Sequence, residues 1–174
     1  HNPDLRSMHL RSLFSLSLLL PFLLAAQGTW KDPRCSLAYP EGWKVDTTGR
    51  GGAVVSFHTL PADSLDQFSE NVNLMVQRVD DLPMSEYVEI TEDQVTGKLK
   101  DGRLILSERM RTSGGDVHRF EYEGSVGEFR LHFLQTVRFL DGWAYLLTFT
   151  AEQQVYGTYL AEGQAILNSF AWRE

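Results

Sequence analysis

Histidine is the commonest side-chain ligand and proton carrier near neutral pH. Beyond residue 28 this chain has three: His58, His118 and His132. A metal site needs such ligands to converge on one point. Pairing two strands around Gly124–Gly127 puts Phe120 and Tyr122 on one face with Phe129, Leu131 and Phe133. His118 then joins that apolar face. His132 falls on the opposite face, with Arg119 and Arg130. The hairpin therefore separates the two histidines, and no metal site is expected.

Nucleophilic chemistry finds equally little support. Gly124-Ser125-Val126-Gly127 has its first glycine one residue too close to the serine for a nucleophile elbow, so Ser125 is read as a loop residue. Cys35, the one cysteine, cannot form an internal disulfide. It follows the charged Lys31 and Asp32-Pro33-Arg34 rather than the apolar run, which argues against lipidation. Its expected place is a strand, as a small apolar residue. The carboxylate pairs Asp80-Asp81 and Glu92-Asp93 sit in polar surroundings and read as solvated surface. Gly49-Arg50-Gly51-Gly52 lacks the following helix with Lys and Ser/Thr that a phosphate cradle requires. No catalytic residue and no cofactor are expected.

Tryptophan is the remaining clue. Trp30, Trp43, Trp143 and Trp172 stand at the ends of elements. Such residues serve either as lids on the core or as exposed anchors for a partner. Trp43 and Trp143, each just after a turn, are the candidate binding residues.

The elements that must hold these side chains follow from period and punctuation. Ser36 to Val45 is strand-like and broken by Pro40-Glu41-Gly42. Ala53–Thr59 and Val72–Val79 alternate as strands. Leu60 to Ser69 reads as loop. The period then lengthens. Tyr87, Val88, Thr91, Val95 and Leu99 recur at helical spacing after a candidate N-cap, Ser85, with acids in the first turn. Leu104–Arg111, Val117–Glu123 and Glu128–Phe139 are strands. Asp141-Gly142 turns the chain into Trp143–Thr150. A three-residue loop there, pairing Phe139 with Trp143, gathers Val137, Phe139, Trp143 and Tyr145 on one side. Residues 152–169 form a closing helix, with Tyr156, Tyr159, Leu160, Ile166 and Leu167 as its apolar stripe. The pattern is α+β with an antiparallel sheet.

Location has a clear signature. Met8-His9-Leu10-Arg11 is weakly basic, Leu13–Ala26 is uncharged, and Ala26-Gln27-Gly28 ends the run with small residues at the two positions a signal peptidase reads. Roughly 15 apolar residues are too few for a membrane span, which needs about 20. Residues 1–7 precede Met8 and are read as lying outside the native start. Residues 1–28 are thus a leader, with a secretory signal at 8–28. Residues 29–174 are one domain, exported to the periplasm or secreted, with no stable membrane anchor after cleavage. The whole chain carries −7; removing Arg6, Arg11 and Asp4 with the leader leaves about −8. Basic residues are scattered, so nucleic acid is not an expected partner.

Several segments in order resemble the PsbP-like family and its exported bacterial relatives, the DcrB-type proteins and related small domains of unknown function. They are Tyr39-Pro40-Glu41-Gly42-Trp43, Asn71-Val72-Asn73-Leu74-Met75-Val76 and Ser85-Glu86-Tyr87. Phe139-Leu140-Asp141-Gly142-Trp143-Ala144-Tyr145, Leu147-Thr148-Phe149-Thr150-Ala151 and Ile166-Leu167-Asn168-Ser169-Phe170 complete the set. The resemblance implies an antiparallel β-sheet flanked by helices on both sides, an α/β/α sandwich. It also implies a non-enzymatic binding or accessory role, and contacts with another envelope protein are the form of it expected here. It carries over no site. The manganese- and chloride-linked role of the photosystem members depends on an N-terminal extension. Thr29–Arg34 leaves only about six residues for one, so the resemblance points to a bacterial exported relative. The alternative is a small-ligand-binding periplasmic protein with a pocket between sheet and helix; an enzyme ranks third.

Overall fold

The computed structural model describes residues 26–61, 67–112 and 115–173. The expected signal at 8–28 lies almost wholly outside the described residues. Among the described residues, ten strands and two helices run in the order β1 (Ala26–Lys31), β2 (Cys35–Pro40), β3 (Lys44–Asp46), β4 (Val55–His58), β5 (Asn71–Arg78), α1 (Met84–Gly97), β6 (Lys100–Thr112), β7 (Gly115–Val126), β8 (Phe129–Leu140), β9 (Trp143–Glu152), α2 (Tyr156–Asn168) and β10 (Ala171–Trp172). Seven strands form an antiparallel sheet in the order β3-β4-β5-β9-β8-β7-β6, and β1-β2-β10 form a second, three-stranded sheet.

Strand alternation splits the large sheet's side chains between two clusters. Tyr145, Leu147, Phe149 and Ala151 of β9 join Val55, Phe57, Val72, Leu74 and Leu134 in the larger one. They pack against Tyr156, Ile166 and Leu167 of α2 and against Cys35 and Leu37 of β2. The alternate residues Ala144 and Leu146 join Phe120, Val137 and Phe139 in a smaller cluster with Tyr87 and Val88 of α1. Gly163 lets α2 seat directly on the sheet. A Cβ there would lie 2.5 Å from the Phe149 ring, so any side chain would lift the helix.

The three consecutive strands expected over 117–150 are present as β7, β8 and β9, and Phe129–Phe139 is strand throughout. The hairpin loop differs from expectation. Leu140 pairs with Trp143, so the loop is the two residues Asp141 and Gly142. Both adopt positive φ, 51° and 75°, the type I′ geometry whose twist matches the flanking strands. The carbonyl of Gly142 also accepts hydrogen bonds from the Val79 and Asp80 amides, tying the turn to the end of β5. This register puts Trp143 and Tyr145 on the α2 side and Phe139 on the α1 side.

Three boundaries also move. Pro83, extended at φ −63° and ψ 145°, precedes the first turn of α1, and no side chain caps it. Ser85 is therefore inside the helix rather than its cap. The closing helix starts at Tyr156, because β9 continues to pair through Ala151 and Glu152. The turn between β7 and β8 is only Gly127-Glu128, which leaves Gly124 and Ser125 within β7. Strands β1 and β10, which sequence pattern alone does not pick out, both pair with β2.

Candidate functional site

α1 lies over β6 and β7 and leaves a groove between itself and the α1-side residues of β8, β9 and β5. One lobe, about 300 Å³, is lined by Tyr87, Thr91, Gln94, Tyr122, Phe133 and Gln135. A second, about 540 Å³, shares Tyr87, Thr91, Gln94 and Leu146 and continues past Gln77 and Ile90 to Arg78 and Asp80. Its side chains come from one helix face, at spacings of three and four (Tyr87, Ile90, Thr91, Gln94), and from alternate strand residues.

The groove offers apolar rings and neutral hydrogen-bonding groups. Tyr122 stacks on Phe133 with ring centres 4.8 Å apart. Gln77 Nε2 donates to the Tyr87 hydroxyl at 2.7 Å, and Gln135 Nε2 to the Thr148 hydroxyl at 2.9 Å. Burial pushes the Tyr87 phenol up to about 12 against the opposing hydrogen bond from Gln77. Burial likewise pushes Tyr122 up to about 12. Both rings keep their protons across the physiological range. The only charged residues in the two linings are Arg78 and Asp80, and they pair with each other at one mouth. Such a surface matches an uncharged, partly apolar occupant.

The two candidate tryptophans have different fates. Trp43 is 4% exposed, which rules it out as a surface anchor. Its indole N–H donates to Glu162 of α2 at 2.6 Å, and the ring belongs to the larger core. The turn at Pro40–Gly42 folds it inward as a lid, the other reading open to it. Trp143 is half-buried, with Arg34 and Arg78 each 5.6 Å from its ring centre. Arg78 is thus shared by Trp143 and the groove mouth.

The histidines fall as the hairpin pairing requires. His118 lies opposite Val137 and packs on Phe120, while His132 lies opposite Glu123. His132 Nε2 is 2.9 Å from Glu121, its ring stacks on Tyr156 at 3.6 Å, and Arg119 stands 3.6 Å from the same Glu121. Burial raises Glu123, but hydrogen bonds from Gln153 and Arg103 outweigh it and hold the carboxyl below its usual range. Among the described residues, no group of three His, Cys, Asp or Glu side chains is arranged to hold a metal ion.

One pairing escaped sequence reasoning. Ser107 Oγ and His118 Nε2 share a hydrogen bond of 2.8 Å across β6 and β7. Burial pulls His118 below its ordinary value, so it is a neutral base beside a hydroxyl. Neither residue lines the groove or the cavity beside α2 described below. The signal lay in the register of a bulged strand, which β6 does not advertise. Cys35 is wholly buried in β2, and burial pushes its thiol up to about 12, so it is inert as a nucleophile. Ser125 Oγ donates to Asp101 at 2.8 Å and serves the β6–β7 pairing.

No protein-family model matches this sequence, and no curated protein matches it. Solved structures do. Cyanobacterial PsbP from Synechocystis is 19% identical, with 91% of this chain and 99% of that one covered at a TM-score of 0.60. The chain has the PsbP-like fold. LpqN of Mycobacterium tuberculosis, involved in cell envelope biogenesis, shares it at 14% identity, over 82% of this chain and 87% of its own, with a TM-score of 0.65. PA94 of Pseudomonas aeruginosa, a protein of unknown function, does so at 14% identity over 80% and 92%, with a TM-score of 0.60. At these identities the PsbP-like likeness is one of architecture: a mostly antiparallel sheet with two helices.

Proposed function

We propose that this chain is an exported, non-enzymatic binding and accessory domain of the bacterial cell envelope, whose partner lies in the groove beside α1. The observation that carries this reading is the lining of the groove: amides, hydroxyls and rings converge there, without a nucleophile beside a base. Export is supported by the uncharged run ending at Ala26-Gln27-Gly28 and by the fold shared with LpqN, which is involved in cell envelope biogenesis. The layering is an α/β/α sandwich with one helix on each sheet face. It is supported by the alternate residues of β9 that the two clusters take. The favoured partner is an uncharged stretch of another envelope protein. It would run along α1, over Arg78 and onto Trp143, which keeps Trp143 as a contact residue.

A photo-crosslinking residue at Gln94, in cells exporting the protein, tests this. The expected result is a discrete adduct that disappears when Thr91→Trp fills the junction of the lobes. Adducts that survive Thr91→Trp, or that form only from position 143, move the site out of the groove. Intact mass of the exported protein is expected to place its N-terminus at or near Thr29; a mature chain that keeps Met8 overturns cleavage.

A further inference from the structure

A second cavity lies on the opposite side of the large sheet, between the last two turns of α2 and β6–β8. It measures about 160 Å³, and its polar lining is Thr112, Arg119, Thr136, Arg138, Gln164 and Asn168. Arg138 is the unusual member. It is 6% exposed, yet no carboxylate lies within ion-pair distance of it among the described residues. Its contacts are a 3.2 Å hydrogen bond from Nη1 to the Thr136 hydroxyl and the Phe170 ring, 4.7 Å from the guanidinium carbon. Its Nε is buried and has no hydrogen-bond partner. Arg119 adds a second buried Nε without a partner, and its contacts to Glu108 and Glu121, at 3.9 and 3.6 Å, are longer than hydrogen bonds.

A guanidinium keeps its charge at neutral pH wherever a protein places it. Burial pulls Arg138 down to about 10, which still leaves it charged. An uncompensated buried cation is costly, and natural structures pair it. The cross-strand register brings the two arginines together: Arg119 lies opposite Thr136, and Arg138, two residues further along β8, shares their face. Neutral donors from α2, Gln164 and Asn168, face them, and Asn168 and Thr112 stand at the exposed rim.

We propose that this cavity binds an oxyanion, a single carboxylate or phosphate group held by Arg138 and Arg119 and bonded by Thr136 and Gln164. Two guanidinium forks with free N–H groups suit the planar edge of such a group. The volume admits the anionic group itself, and any larger remainder of the ligand must leave between Thr112 and Asn168.

The test is titration of the whole exported domain with sodium phosphate and, separately, sodium acetate, at ionic strength held constant with chloride. Calorimetry and thermal unfolding are the readouts. Phosphate strengthens folding generally by exclusion from protein surfaces, so the measure is the difference between variants. Wild type is expected to bind at least one of the two anions, and which one it prefers distinguishes phosphate from carboxylate. Arg138→Met, which removes the buried charge at similar volume, is expected to lose roughly tenfold or more in affinity and to be at least as stable as wild type without anion. Gln164→Glu places a carboxylate in the cavity. It is expected to stabilise the anion-free protein and to abolish the response, and it keeps the test alive if Arg138→Met fails to fold. A wild type that responds to neither anion beyond Gln164→Glu overturns the proposal. So does an Arg138→Met protein that binds as tightly as wild type.

Discussion

The two helices rest on the same sheet but meet different densities of core. On the α2 side, sixteen buried residues form one cluster among the described residues, fourteen from β2, β4, β5, β8, β9 and α2 together with Trp43 and Phe170 from the connections. On the α1 side the buried cluster has only four members among the described residues, Tyr87, Phe120, Val137 and Ala144, and the apolar groups packed against it are partly exposed. Free energy of burial scales with apolar area removed from water, so the α2 side carries most of the fold's stability. Sparse burial is what leaves a groove beside α1. Regions with few buried contacts open locally at lower free energy than the core. The side holding the candidate site is thus also the side free to adjust to a partner.

The largest expected effect breaks the dense side. Phe149 is wholly buried beneath Gly163, and Phe149→Ala should cost about 3–5 kcal/mol in urea unfolding. A loss below about 1 kcal/mol, the scale of a surface change, would mean that α2 does not anchor the fold. Native-state hydrogen exchange sharpens the contrast. Amides of α1 should open well below the global unfolding free energy and those of α2 close to it; equal protection would erase the distinction.

The next prediction concerns pH. His118 is buried with its folded pKa below the unfolded value of about 6.5. As pH falls through about 6.5 the unfolded chain takes up a proton first, so stability drops, and the loss saturates below the folded pKa. His118→Gln should flatten the stability profile between about pH 7 and 5 relative to wild type. An unchanged profile would assign that dependence elsewhere, with His58, also lowered chiefly by burial, the first alternative. The smallest effect belongs to the groove: Tyr87→Phe deletes the hydroxyl that accepts from Gln77, at a cost of about 1 kcal/mol. A cost of several kcal/mol would place Tyr87 in a core as demanding as that around Phe149.

What the sequence made legible was periodic. Phe129, Leu131 and Phe133 alternate and mark β8; Tyr87 and Val95 recur at helical spacing and mark α1; the pairing around Gly127 separates His118 from His132. What it hid depends on the third dimension. β8 is buried on both faces along Thr136, Val137 and Arg138, so no alternation marks that stretch and nothing in the sequence singles out Arg138, which α2 covers. Trp43 follows a turn, and nothing local says which way its ring folds. The Asp141-Gly142 loop turned on one residue of register, which exchanges every side chain between faces. The groove is formed by side chains far apart in the chain, and Ser107 meets His118 across a strand bulged at Leu104–Leu106.

The pairing of β10 with β2 bears on when this chain can fold at all. Ala171 lies against Ser36 and Trp172 against Cys35, and Phe170 closes over Tyr145. The dense core therefore cannot be completed until β10 has left the ribosome, and the pairing that completes it spans more than a hundred residues, the topology associated with slow folding. A chain whose dense core waits for β10 is easier to keep threadable in the meantime. That is the physical condition for passing through a narrow translocation pore before a structure too wide to follow has formed.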